Sequence, residues 1–153
     1  DTFARHGIEE PSSRWTWDEF EELGKKYVNA ANKPGARDWN YFLKPGSSIV
    51  PMTELRRGMG LSIYNETMTA CILDDPRSVE VMRRIYRWVV ELRLIPTTAE
   101  SNAMTANSPM AGGATFYLFS EGRYGLIFFQ LRNDGGSEVL LLKKFARGDG
   151  SNG

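Results

Sequence analysis

The side chains that most often carry out catalysis are scarce in this sequence. It contains one histidine, His6, and one cysteine, Cys71, so no metal site or triad can be built from several histidines. A thiol–imidazole pair of these two residues would be nucleophilic, but no local motif accompanies either of them. Phosphate-binding loops, GxSxG, HExxH and paired-cysteine zinc patterns do not occur in the sequence. We therefore expect a protein that is not an enzyme and that uses no cofactor.

A cluster of acidic residues is the next candidate for chemistry, because carboxylates can hold metal ions. The cluster consists of Asp18, Glu19, Glu21 and Glu22. These residues fall in the first turns of a predicted helix, where the helix dipole favours negative charge. The dipole explains the cluster without a metal ion, and we expect no metal to bind here.

Three aromatic residues stand close together in a loop-rich passage. Trp39, Tyr41 and Phe42 lie between Pro-Gly turn signals at residues 34–35 and 45–46. In an extended segment, Trp39 and Tyr41 share one side and Phe42 takes the other. Aromatic side chains on a loop can bind the flat face of a ligand, but they can equally cover the edge of a core. The sequence leaves both interpretations open.

Composition favours an ordinary globular protein and disfavours a nucleic-acid or membrane partner. The chain has 153 residues, 41% of them hydrophobic, and its 19 basic residues balance 19 acidic ones. No apolar run is as long as a membrane span and no signal peptide opens the chain, as would hold for a mature secreted protein or an excised piece of one. We expect one domain over residues 1–147, followed by a flexible tail or linker at 148–153.

The strongest helical signal lies at residues 75–96. Asp75 is a suitable N-cap, Pro76 suits the first turn, and Pro96 is expected to end the helix. Apolar residues recur at steps of three and four, which predicts one buried face made of Val79, Met82, Ile85, Tyr86, Val89 and Leu92. Trp88 falls to one side of that face. The interleaved arginines could form a basic face for nucleic acid, but the neutral net charge favours a scaffold helix.

Two further helices carry capping boxes, and the C-terminal third is rich in strand signals. Thr16 with Glu19 predicts a helix over 17–31, with Trp15 and Phe20 as its hydrophobic staple. Thr97 with Glu100 predicts a short helix over 98–104. Residues 114–120, 124–131 and 138–145 have strand propensity, with a turn at 133–136. The hydrophobic pattern of residues 53–73 has neither a clear helical period nor a clear strand period.

Four stretches, taken in order, resemble a known family. They are DTFARHGIEEPSSRWTWDEFEELGKKY at the start, LDDPRSVEVMRRIYRWVVELRLIP, the TTAESNAM that follows it, and LFSEGRYGLIFF. They are similar to the passages "NKDLFEKAGI…P.TWDEFLEAAKKL", "DSPEAVEALQFYVDLVKEGLVP" with its following segment, and "F..GKAAM". These passages belong to the maltose-binding-like, extracellular solute-binding proteins of sugar ABC importers. The resemblance covers roughly residues 1–35 and 73–130.

The resemblance implies a fold and overrules one local interpretation. It implies an α/β lobe, with a small sheet flanked by helices, like the second lobe of a type II periplasmic binding protein. Whole members of the family are longer and have two lobes, so this chain would be one lobe carrying half of a cleft. The family also implies that residues 114–121 are helical, with Gly122 as a left-handed cap, against their strand propensity.

The function implied by the resemblance is non-catalytic capture of a carbohydrate in the periplasm or outside the cell. The implied partners are the other lobe of the same protein and a membrane-associated ABC importer, with no nucleic acid. The expected ligand-binding residues are Trp39 and Tyr41 as aromatic platforms, and Arg123, Gln130 and Arg132 as polar contacts around the glycine turn and its strand. The alternative is a free-standing α/β interaction module, an adaptor or toxin-neutralising protein, in which the aromatic residues form a protein-binding patch.

Overall fold

A computed structural model describes residues 2–9, 15–35, 38–44, 50–110, 113–133 and 136–143. The side chains of residues 50, 51 and 54, and of all residues from 128 onward, lie outside this description, as do the predicted tail at 148–153 and the turn signal at 45–46. Six α-helices, one π-helical turn and three strands occur in the described part. In chain order they are α1 (Thr2–Arg5), α2 (Trp17–Ala31), β1 (Tyr41–Lys44), α3 (Val50–Gly58), α4 (Pro76–Tyr86), the π-helical turn (Arg87–Glu91), α5 (Thr98–Ala106), α6 (Ala114–Ser120), β2 (Tyr124–Asn133) and β3 (Gly136–Lys143).

The three strands form one sheet in the order β1-β2-β3. The first two are parallel, with Tyr41 opposite Tyr124, and the last two are antiparallel, with Asn133 opposite Gly136. Because parallel strands need a crossover, helices α3 to α6 connect β1 to β2. The prediction of an α/β chain with a small sheet is confirmed at this level, and the two later strand predictions match β2 and β3.

Helix α2 has the predicted bounds and the predicted cap. The Thr16 hydroxyl accepts a hydrogen bond from the Glu19 backbone, and the Glu19 carboxylate accepts one from the Thr16 backbone at 2.6 Å. Trp15 and Phe20 make the staple contact, with ring centroids 5.5 Å apart. Gly24 allows close approach to the sheet, since a Cβ there would lie 2.8 Å from side-chain atoms of Leu94 and of Phe42.

The buried face predicted for α4 is wrong. Trp88 is 1% exposed, and Ser78 and Val81 are also buried. Three residues of the predicted face are exposed instead, together with a further valine: Val79 50%, Met82 54%, Tyr86 57% and Val90 52%. Ile85, Val89 and Leu92 are only partly buried. The helix has apolar residues on two faces, and the face with the largest ring packs inward.

The contacts of the Trp88 ring explain why its face of the helix is the buried one. The ring lies 4.8 Å from the Phe20 ring and 5.9 Å from the Trp17 ring, measured between centroids. Its indole N–H donates to the Glu21 carboxylate at 2.9 Å, so its polar atom is also satisfied. Arg84 pairs with Asp18 at 2.9 Å and Arg87 with Glu21 at 3.0 Å, which brings part of the acidic cluster against the arginines of this helix.

The central helix also ends earlier than Pro96. After Tyr86 the backbone widens into the π-helical turn Arg87–Glu91, and Arg93 then takes a left-handed conformation with φ 50°. The backbone N–H groups of Leu94 and Ile95 both donate to the Trp88 carbonyl oxygen. The helix therefore ends by turning the chain sharply at Arg93, so that Leu94 and Ile95 enter the core.

The helix implied by the family resemblance at 114–121 is present as α6. Its strand-like residues bury Leu118 and Phe119 against β2, and Gly122 follows with φ 82°. The glycine can adopt this left-handed conformation without a steric penalty, which lets the chain turn from the helix into the strand. The helices near 17–31 and 98–104 are likewise confirmed. Among the described residues, no helix combines the length and apolar character needed to cross a bilayer.

Candidate ligand-binding cleft

An open cleft of about 550 Å³ lies beside the amino ends of β1 and β2. We call it the Trp39 cleft. It is lined by aromatic, charged and polar side chains from four segments of the chain: Asp38, Trp39, Tyr41, Arg93, Glu100, Ala103, Met104, Asn107, Ser108, Pro109, Tyr117, Leu118, Glu121 and Arg123.

The first strand begins at Tyr41, which is 2% exposed, and Trp39 lies just before it. The Tyr41 backbone N–H donates to the Arg123 carbonyl oxygen at 2.9 Å, so β1 and the start of β2 meet at the cleft. Asn32 closes the preceding loop, because its side chain accepts from the Asn40 N–H at 2.7 Å and donates to the Asn40 carbonyl oxygen at 2.9 Å. Trp39 and Tyr41 are thereby held at one end of the sheet rather than on a free loop.

Arg93 covers one face of Trp39. Its guanidinium carbon lies 4.5 Å from the centroid of the indole ring, a cation–π arrangement. The Trp39 indole N–H donates to the Arg93 backbone carbonyl at 3.2 Å. The left-handed backbone of Arg93 therefore places both its carbonyl and its side chain against the same tryptophan.

Glu100 joins the same cluster from the first turn of α5. It pairs with Arg93 at 2.8 Å, while its other carboxylate oxygen accepts from the Thr97 N–H at 2.9 Å to complete the capping box. The Arg93 guanidinium also lies 3.4 Å from the Tyr41 hydroxyl. Arg93, Glu100 and Tyr41 thus form a connected polar group on the cleft wall.

Arg123 closes the cleft on the side of β2. Its guanidinium donates to the Trp39 carbonyl oxygen at 3.3 Å and lies 3.6 Å from the Asp38 carboxylate. The Nε atom of Arg123 is buried and has no hydrogen-bond partner. A hydrogen bond fixes the Gly122 backbone, since the Tyr27 hydroxyl donates to the Gly122 carbonyl oxygen at 3.1 Å.

The titrating groups of this cluster have fixed protonation states near neutral pH. Burial raises the pKa of Tyr41 to about 12, with hydrogen bonding to Glu100 adding to the shift. Burial acts to raise the pKa of Glu100, but hydrogen bonds from Thr97, Tyr41 and Arg93 outweigh it and lower that pKa to about 2. General acid–base catalysis favours a pKa near the working pH. This phenol and this carboxylate are therefore suited to binding rather than to proton transfer.

Three of the five predicted site residues come together in the cleft. Trp39, Tyr41 and Arg123 line it. Gln130 and Arg132 lie on β2 six and eight residues beyond Tyr124, which is about 20 and 26 Å along an extended strand. Their side chains lie outside the described part of the chain, so their role as ligand contacts stays a prediction.

Arg93 and Glu100 are cleft residues that the sequence interpretation missed. The sequence predicts only a capping role for Glu100, since nothing local indicates that its second carboxylate oxygen contacts Arg93. For Arg93 a signal existed. The segment ending in Pro96 is similar to "KEGLVP", and Arg93 stands where that passage has glycine. An arginine at a left-handed position is unusual and indicates a local role for the side chain.

The other candidate chemical groups lie elsewhere. His6 packs edge-on against Tyr27, with ring centroids 5.6 Å apart, and burial followed by the nearby Arg5 charge lowers its pKa. Cys71 is an exposed free thiol on the loop after α3. Over the described ranges, no group of three or more histidine, cysteine, aspartate or glutamate side chains is arranged to hold a metal ion.

In comparisons with known proteins, the sequence matches no family model and no curated protein.

Proposed function

We propose that this chain is part of a solute-binding protein that captures a carbohydrate, without catalysis, for an ABC importer. The observation that carries the proposal is the meeting of Trp39, Tyr41 and Arg123 around one cleft. The other partners follow from the same proposal: a second lobe that closes over the cleft, and a membrane importer that receives the sugar. Binding then takes place in the periplasm or outside the cell.

The chemistry of the cleft suits a sugar. A pyranose ring presents apolar C–H faces and polar hydroxyl edges, so its site needs aromatic faces beside hydrogen-bonding groups. Trp39 and Tyr117, both partly exposed, supply the aromatic surface, and Tyr41, which is 2% exposed, lies behind them on the cleft wall. A volume of about 550 Å³ falls within the usual range for small-molecule sites, roughly 300–1,000 Å³.

The charged residues of the cleft can bind hydroxyl groups without being released from one another. A guanidinium has five N–H donors and a carboxylate about four acceptor positions, so the pairing of Arg93 with Glu100 leaves capacity on both. Arg123 contributes further donors on the opposite wall. Each sugar hydroxyl can both donate and accept a hydrogen bond, so neighbouring donors and acceptors on the protein can satisfy it.

A titration of the whole chain with glucose, maltose and maltotriose, followed by amide chemical shifts, tests the proposal. We expect shifts centred on Trp39, Tyr41 and the residues around Arg93 and Arg123. The cleft is open on one side, so we expect weak saturation near the millimolar range, about −4 kcal/mol. Absence of any shift in the cleft with these and a wider panel of sugars would overturn the proposal.

A free-standing interaction module is the second candidate, and a different surface favours it. Val79, Met82, Tyr86 and Val90 form an exposed apolar row along the central helix. Such a row is typical of a protein contact. If this reading holds, chemical shifts of that row respond to protein concentration or to a protein partner, while sugars leave the Trp39 cleft unchanged.

A further inference from the structure

A second groove lies beside α3, and it contains a buried arginine. The groove has a volume of about 540 Å³ and shares no lining residue with the Trp39 cleft. Arg56, on α3, lines it and is only 3% exposed. Its two terminal nitrogens donate to the Ser78 hydroxyl and to the Ser62 carbonyl oxygen. We call this site the Arg56 groove.

The charge of Arg56 has no direct counter-charge in the described part of the chain. Neither of its hydrogen-bond acceptors is charged, and its buried Nε has no partner. Asp75, whose pKa feels the Arg56 charge only weakly, is already held by the Arg77 side chain at 2.8 Å. Two neutral acceptors replace only part of the hydration that a buried guanidinium with five N–H groups loses, so an incoming anion would add a charge-assisted interaction.

The walls of the groove are apolar and unusually exposed for such residues. Ile63, Tyr64 and Met68 are exposed, and Met52 and Leu61 complete the apolar lining. A second cationic side chain, Arg57, lies on the rim. The groove therefore combines an apolar surface with a positively charged floor.

We propose that the Arg56 groove is a second binding site, for a small organic carboxylate with an apolar body. The carboxylate lies toward the Arg56 guanidinium, whose planar fork matches carboxylate geometry. The apolar body lies on Ile63, Met68 and Leu61. A neutral apolar molecule would leave the buried charge unpaired, and inorganic phosphate would leave the apolar walls uncovered, so neither fits the groove as well. This site does not depend on the function proposed for the Trp39 cleft.

The test compares three probes on the whole chain by amide chemical shifts: octanoate, octanol and inorganic phosphate. We expect octanoate to shift residues 52–68 and to bind at least tenfold more tightly than octanol, which is about 1.4 kcal/mol. Phosphate should leave these residues unshifted at the same concentration. Equal binding of octanoate and octanol would contradict the role of Arg56, and strong shifts with phosphate would contradict the role of the apolar walls.

Two variants separate the groove from general surface hydrophobicity. Ile63→Asn, on the exposed wall, should weaken octanoate binding about fivefold or more. Val79→Asn is the matched control, because Val79 is a similarly exposed apolar residue outside the groove. Arg56→Met should abolish the preference for octanoate over octanol; if that variant does not fold, the probe comparison and Ile63→Asn still decide. Equal loss in Ile63→Asn and Val79→Asn would overturn the proposal.

Discussion

Arg93 combines an unfavourable backbone conformation with three contacts in the Trp39 cleft. Its φ of 50° costs a residue with a side chain about 1–2 kcal/mol relative to ordinary helical geometry. Its pair with Glu100 and its contact with Trp39 each stabilise the fold by about 0.5–1 kcal/mol at partly exposed sites. The contacts therefore roughly cancel the strain, and stability alone does not explain why arginine stands here. We propose a role in binding as the reason.

Substitutions of Arg93 by glycine and by alanine should differ in a defined direction. Alanine loses the contacts and keeps the strained backbone, whereas glycine loses the contacts and removes the strain. We expect Arg93→Gly to be more stable than Arg93→Ala by about 1 kcal/mol in urea melts. Equal stability of the two variants, or a more stable alanine variant, would show that the left-handed backbone at Arg93 is not strained.

Glu100 should make folding sensitive to acid. Its pKa is about 2 in the folded chain and 4.5 for the unperturbed side chain, so the unfolded state binds a proton first as the pH falls. The stability that this provides is complete above pH 4.5 and is lost between pH 4.5 and about 2. Glu100→Gln retains a capping side chain, and it should reduce the loss of stability between pH 6 and pH 3.

Urea midpoints at the two pH values measure this effect. Glu80→Gln, on the exposed side of α4, serves as the control and should leave the acid sensitivity of the wild type unchanged. An unchanged pH dependence in Glu100→Gln would mean that the hydrogen bonds from Thr97, Tyr41 and Arg93 do not hold the Glu100 carboxylate in its charged form.

At the scale of elements, capped helices are the part of the fold that the sequence predicts best. α2 and α5 begin at capping boxes, and a box involves only residues three positions apart. α6 is different, because β-branched and aromatic residues give it a strand propensity. Packing of Leu118 and Phe119 against β2 overrides that propensity, and only the family resemblance pointed to the helix.

The central helix shows where periodicity is insufficient. Apolar residues occupy two of its faces, so spacing alone cannot tell which face is buried. The choice depends on Phe20 and Trp17, which are some 70 residues away in sequence and receive the Trp88 ring. A local pattern contains no information about such a distant partner.

Alanine substitutions along this helix provide the corresponding measurement. Trp88→Ala should destabilise the chain by about 3–5 kcal/mol, because it leaves a cavity beside Phe20 and removes the hydrogen bond to Glu21. Val79→Ala, on the exposed face, should change the stability by about 0.5 kcal/mol or less. A larger loss in Val79→Ala than in Trp88→Ala would mean that the helix buries its other face.

At the scale of the whole molecule, the candidate site was predictable only where its residues are neighbours in sequence. Trp39 and Tyr41 lie two residues apart and could be recognised as a cluster. Arg93 and Glu100 reach the same cleft from more than 50 residues away, through the end of α4 and the start of α5. Gln130 and Arg132 lie further along β2, about 20 Å or more from Arg123 in an extended strand, and their role as ligand contacts stays a prediction.

The open form of the Trp39 cleft determines the affinity to be expected. Because the cleft is open on one side, much of a ligand's surface stays in water and many of its hydroxyls keep their hydration. Closure by a second lobe would bury the remaining face and add opposing hydrogen bonds. Weak binding by this chain, located at the aromatic platforms, is therefore the direct consequence of the proposed function.

The measurement that tests this claim most directly is a maltotriose titration followed by amide chemical shifts. It compares three proteins: the wild type, Trp39→Ala and Tyr86→Ala. Tyr86 is an exposed aromatic residue on α4 outside the cleft, so its variant controls for nonspecific stacking. We predict about millimolar binding by the wild type and by Tyr86→Ala, and at least a tenfold loss in Trp39→Ala, about 1.4 kcal/mol. Equal binding by Trp39→Ala and the wild type, or micromolar binding by the wild type, would contradict a carbohydrate half-site in the Trp39 cleft.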